Sequence, residues 1–207
     1  MSKRLAVMVS GGGSNLQAIL DGIDKGEIDA KVVVVISSKP GVYALERAKQ
    51  AGVDGIVIAK KDYETQEAFF AANLKALQDY QVEVIVLAGY LSILSPEVVR
   101  AYPNRILNIH PALIPSFCGK GYYGIRVHQA VLDYGAKVSG ATVHFVDEGA
   151  DTGPIILQEA VPVLAGDTAE DLAARVLEVE HKLLPRAVAL FAKDALQVDG
   201  RHVRIIE

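Results

Sequence analysis

Apolar residues in this chain come in short, β-branched bursts separated by longer stretches with helical spacing. Residues 5–9 form the first burst, closed by Ser10-Gly11-Gly12-Gly13-Ser14-Asn15, and an amphipathic stretch follows over 16–26. The run 31–36 predicts a second strand, 42–51 a helix ending before Gly52, and 56–59 a short third strand. Residues 63–80 predict a helix with its charges on one face, and 82–88 a continuous apolar strand. Strands apolar on both faces and alternating with helices indicate a parallel sheet covered on both sides.

After Gly89 the pattern changes. Ser95-Pro96-Glu97 opens a short helix, with serine as N-cap and proline at the first helical position. Residues 105–110 predict a strand stopped by Pro111 and again by Pro115; 116–124, rich in Gly and Tyr, predict a loop, and 127–134 a helix. Two longer strands, 137–146 and 155–163, flank a polar loop over 147–154. A long helix over 168–192 carries Pro185, which predicts a kink. The tail, 196–206, predicts a hairpin turning at Asp199-Gly200. No repeat, low-complexity segment or linker interrupts the chain, so the expectation is one domain over 1–207. Its fold class is α/β: a Rossmann-like, mostly parallel sheet with helices on both faces and longer strands in the C-terminal half.

Composition narrows the function. A chain of 207 residues buries roughly 70% of its unfolded surface, enough to fold without metal or disulfide. Cys118 is the single cysteine, which excludes an internal disulfide and suits a reducing compartment; the expected location is the cytoplasm. Apolar residues make up 51% of the chain, yet no run approaches the ~20 residues of a membrane span. The apolar stretch after Lys3-Arg4 is too short for a signal peptide. Net charge is −4, from 21 basic and 25 acidic residues interspersed without a basic stripe, so neither nucleic acid nor membrane is an expected partner. A bound phosphate would then draw much of its attraction from backbone N–H groups, at a glycine-rich turn opening a helix.

The turn 10–15 has that form: glycines admit a close approach, and Ser14 and Asn15 add side-chain donors. It lacks the Lys-[Ser/Thr] of a P-loop, and Leu16 stands where a dinucleotide fingerprint needs its third glycine. It also reads as a plain tight strand-to-helix turn. In Asn108-Ile109-His110-Pro111, Asn108 and His110 share a strand face at the carboxyl end, where open α/β sheets bind ligands. An amide donor beside an imidazole suits a carbonyl becoming an oxyanion; alternatively the pair only ties down the proline-rich loop. Asp151, if near His110, would raise the imidazole pKa and orient the ring; otherwise it is a turn former beside Gly153 and Pro154. His144 reads as a satisfied sheet residue, and His128, His181 and His202 lack metal-ligand spacing. Cys118 has no partner motif, so neither a nucleophile nor a metal site is expected.

The ordered set SGGGSN (10–15), LAGYLSIL (87–94), NIHPALIP (108–115), FVDEGADTGPIILQ (145–158) and EH (180–181) resembles the folate-dependent formyltransferases, in particular the branch acting on glycinamide ribonucleotide. The likeness extends from residue 4 to about 195. It implies the formyltransferase fold and transfer of the formyl group of 10-formyltetrahydrofolate, the co-substrate, to the amine of glycinamide ribonucleotide in purine biosynthesis, without a metal. Gly12, Gly13, Ser14 and Asn15 would hold the ribonucleotide phosphate and Glu180 its glycinamide end. Leu91, Ser92, Ile93 and Leu94, with Asn108, Asp147, Glu148, Gly149, Ala150 and Asp151, would line the folate pocket. Asn108, a protonated His110 and Asp151 would be the catalytic set, and the chain would be a monomer or weak homodimer. Some members of the family carry arginine where Ser92 and Gln66 stand, so the folate's glutamate tail would be held differently here. Formyl-folate enzymes acting on tRNA, on a sugar amine or on water alone are alternatives, as is a nucleotide-binding module without catalysis. The tRNA enzyme's extra C-terminal domain and the hydrolase's extra N-terminal one have no counterpart in a chain of 207 residues.

Overall fold

The computed structural model describes residues 2–206. Its main element is a mostly parallel, seven-stranded sheet with helices on both sides and strand order β3-β2-β1-β4-β5-β6-β7. The chain divides into two compact units at the Leu107/Asn108 boundary.

In the first unit, β1 (Lys3–Val9), β2 (Ala30–Ser37), β3 (Asp54–Val57) and β4 (Val84–Leu87) alternate with α1 (Ser14–Asp24), α2 (Tyr43–Gln50), α3 (Gln66–Asp79) and α4 (Pro96–Ala101). β1 pairs in parallel with β2 and with β4, and β2 with β3. Residues 5–9 are fully buried, as expected of a strand covered on both faces. The predicted third strand lies two residues too late. β3 is an edge strand and mostly exposed, whereas the apolar pair Ile58 and Ala59 is buried in the coil beyond it. Thr65 and Ser95 cap α3 and α4, each accepting a backbone N–H three residues on.

The boundary falls within β5 (Ile106–His110). The second unit continues with α5 (Ile125–Tyr134), β6 (Val138–Phe145), β7 (Ile155–Pro162), α6 (Ala169–Ala192) and the hairpin β8 (Leu196–Asp199)–β9 (His202–Ile205). β6 and β7 are antiparallel, with a register shift between Val143 and His144. α6 begins at a capping box formed by Thr168 and Asp171, and is one continuous helix through Pro185. Gly200, at φ 57°, turns the final hairpin at the predicted place.

Candidate active site

The end of β5 and the neighbouring loops of the second unit hold a connected set of polar side chains. Asn108 and His110, two residues apart, share a face; Ile109 between them is buried. Asn108 Nδ2 donates to His144 Nε2 at 3.0 Å, and His144 Nδ1 donates to the Phe145 carbonyl at 2.8 Å. His110 Nε2 donates to the Phe117 carbonyl at 2.9 Å. Asp151 stands between the two imidazoles, Oδ2 lying 3.7 Å from His110 Nδ1 and Oδ1 3.5 Å from His144 Nε2. The Gly119 N–H donates to Asp151 Oδ2 at 2.8 Å.

These contacts fix tautomers. A carbonyl only accepts, so His110 carries its proton on Nε2 and His144 on Nδ1. The lone pair of His110 Nδ1 therefore faces a carboxylate. Burial pushes the His110 pKa below its ordinary value, outweighing Asp151, which pulls it up, and the Phe117 hydrogen bond. This corrects the expectation of a protonated His110: the ring is neutral near pH 7 and has a vacant nitrogen beside Asp151. Burial alone would raise the Asp151 carboxyl, but the His144 ring, the Gly119 N–H and, at the acid pH where the carboxyl titrates, the protonated His110 ring hold it below the ordinary carboxylate value. It is thus a carboxylate ready to stabilise an imidazolium.

Backbone conformation places these groups. Phe117 and Asp151 have φ of 51° and 57°, a left-handed conformation uncommon for residues with a side chain and costly above all for Phe117. The loop 116–124, read from sequence only as a loop, supplies the carbonyl holding His110 and the N–H holding Asp151. At Gly153 a Cβ would lie 1.8 Å from the Phe145 carbonyl oxygen, so only glycine lets the 147–154 loop close here. Asp147 Oδ1 accepts from Gly149 N–H and Thr152 Oγ1, and Arg201 braces Thr152 O at 3.0 Å. His144, read from the sequence as a satisfied sheet residue, has both ring nitrogens hydrogen-bonded and adjoins this set. Thr142 and His144, two polar residues on one face of a buried strand, were the available signal. Burial raises the Cys118 thiol, whose Sγ contacts Pro115 O, and nothing there activates it.

In the first unit, Gly13 is the N-cap of α1 at φ 73°, and Ser14 and Asn15 form the first turn of the helix. The hydroxyl of Ser10 accepts the Leu91 N–H at 2.8 Å and shares a 2.6 Å hydrogen bond with Ser38. The ends of β1, β2 and β4 are thereby tied together. That leaves Leu91 only its carbonyl to offer a ligand; its side chain and that of Ile93 are exposed, while Ser92 and Leu94 are half-buried. Glu180 is buried on α6 of the second unit.

An α/β sheet presenting an amide, two tautomer-locked imidazoles and a carboxylate at a strand end defines a protein equipped for acyl-group transfer. Residues 3–188 match the family described as formyl transferase, and the chain belongs to that family. It is 45% identical over 206 residues to phosphoribosylglycinamide formyltransferase, chloroplastic, of Arabidopsis thaliana, covering 99% of this chain and 70% of that protein. It is 47% identical to trifunctional purine biosynthetic protein adenosine-3 of Drosophila pseudoobscura pseudoobscura, covering 94% of this chain but 14% of that protein's length. Glycinamide ribonucleotide transformylase 1 of Symbiobacterium toebii superposes with a TM-score of 0.94 at 49% identity, covering 99% of this chain and 94% of that one.

Proposed function

We propose that this chain is an enzyme transferring the formyl group of 10-formyltetrahydrofolate to the amine of glycinamide ribonucleotide, a step of purine biosynthesis. The observation that carries the chemistry is the arrangement of Asn108, His110 and Asp151, with His144 between Asn108 and Asp151. The names of the relatives support the choice of substrates. The chain acts as a single domain, 1–207, in the cytoplasm; the plant relative is named chloroplastic. Among the described residues no helix is long and apolar enough to cross a membrane.

The neutral glycyl amine attacks the formyl carbon on N10 of the folate, giving a tetrahedral carbon that bears an oxyanion. Asn108 meets that oxygen with its second amide N–H, the first being held by His144; one such donor is worth about 3–4 kcal/mol to the transition state. His110, neutral at the start, takes the proton the amine releases on Nδ1, where Asp151 stabilises the imidazolium. The ring returns that proton to N10 as the carbon–N10 bond breaks, leaving formylated ribonucleotide and tetrahydrofolate. Positioned proton transfer of this kind contributes about 10²–10⁴-fold. Gly12, Gly13, Ser14 and Asn15 bind the phosphate, Glu180 the glycinamide end, and 91–94 with 147–151 the folate.

The test is to follow tetrahydrofolate release with and without glycinamide ribonucleotide. Release that requires the ribonucleotide, with matching formation of its formyl derivative, is expected. Equal release without it would make the chain a hydrolase, and no release in either case would refute folate-dependent transfer.

A further inference from the structure

The glycine turn is gripped from one side by α2. The Ala44 N–H donates to Gly11 O at 3.3 Å, and Arg47 Nε donates to Gly12 O at 2.9 Å. Across a trans peptide the next N–H points opposite to the carbonyl. With both carbonyls turned to α2, the N–H groups of Gly12 and Gly13 face the other way. A Cβ built at Gly11 or Gly12 would meet no atom within 4 Å, so the turn has open space beside it. On the α2 side there is none, since a Cβ at Gly13 would lie 2.6 Å from Ala44 Cβ.

Arg47 is itself held in place. Its Nη1 donates to Gln17 Oε1 at 2.9 Å, and its Cζ lies 4.8 Å from the centre of the Tyr43 ring. Gln17 is in turn fixed by donating to Asp21 Oδ1 at 2.8 Å. The guanidinium thus stands behind the turn as a fixed positive charge, in a chain whose net charge is −4.

We propose that Arg47 is a specificity-determining residue for the phosphate of the ribonucleotide. It acts through Gly12, turning the N–H groups outward, and through its charge, which lies behind them. The assignment rests on the reading that the ribonucleotide phosphate binds this turn. A charge one peptide behind the donors, partly screened by solvent, is worth a factor of about 5–10 in affinity for a phosphate dianion. Lysine retains the charge but not the planar fork that holds Gly12 O and Gln17 together.

The experiment is calorimetric titration of wild type, Arg47→Gln and Arg47→Lys with glycinamide ribonucleotide and with its dephosphorylated riboside, at low and high salt. Arg47→Gln is expected to bind the ribonucleotide about 5–10-fold more weakly at low salt, with a smaller loss at high salt. Its affinity for the riboside should stay within about two-fold, and Arg47→Lys should keep most of the preference for phosphate. Wild-type affinity for the ribonucleotide in Arg47→Gln would overturn the proposal, as would an equal loss for both ligands, the mark of a merely structural residue. If Arg47→Gln does not fold, loss of the phosphate preference in Arg47→Lys, despite its retained charge, overturns the electrostatic part. Equal binding of both ligands by wild type would overturn the proposal together with the phosphate reading beneath it.

Discussion

Replacing His128 with glutamine should make the protein more resistant to mild acid. His128 lies on α5, is 4% exposed, and its Nδ1 has no hydrogen-bond partner among the described residues. Burial, assisted by the charge of His110, lowers its pKa from 6.5 to about 4. Above pH 6.5 the ring is neutral in the folded and unfolded chain alike, and this group adds no pH dependence. As pH falls from 6.5 toward 4, the unfolded chain binds a proton that the native state does not, so stability declines through that window and levels off below it. At pH 5 the linkage amounts to about 2 kcal/mol, which residual solvent screening reduces to about 1–2 kcal/mol. The assay is urea unfolding at pH 7.5 and pH 5.0. Between the two, wild type should lose about 1–2 kcal/mol more than His128→Gln, the contribution of His110 being common to both. Equal losses in the two proteins would refute the reasoning.

Three further substitutions probe the first unit. Gly13→Ala combines a left-handed φ of 73° with a Cβ 2.9 Å from the Ala44 backbone, and should cost about 2–4 kcal/mol in urea unfolding; Gly12→Ala, with open space around it, should cost less than about 1 kcal/mol. Ser92→Arg should lower the folate KM by about two- to five-fold at low salt and leave kcat unchanged, because an exposed ion pair on the glutamate tail stabilises ground and transition states alike. An unchanged KM would place the tail elsewhere.

The strands were legible where burial on both faces leaves an unbroken apolar run, as in 5–9 and 82–88. They were misplaced where an edge strand is polar and the buried apolar residues lie outside it, as with β3 and Ile58. The helix start at Ser95 was readable because capping is local chemistry, whereas Thr168, read as the first residue of the long helix, is its N-cap. The shared face of Asn108 and His110 follows from strand periodicity alone. The link from His110 to Asp151 does not, since it depends on a loop whose backbone is held left-handed at Phe117 and Asp151. Nor could the protonation of His110 be read from the chain, because it is a balance between burial and a neighbouring carboxylate. Nothing in the sequence singled out Arg47; its contact with the Gly12 carbonyl depends on the packing of α2 against a turn far from it in sequence.

The account stands or falls on Asp151 as the carboxylate that stabilises a transient His110 imidazolium. Asn tolerates the left-handed conformation at φ 57°, so Asp151→Asn should fold, yet a neutral amide cannot offset the charge on the ring. The decisive measurement is kcat for formyl transfer in Asp151→Asn against wild type, with both substrates saturating. A fall of about 10²-fold or more with KM values nearly unchanged is predicted; a kcat within about three-fold of wild type would contradict the mechanism.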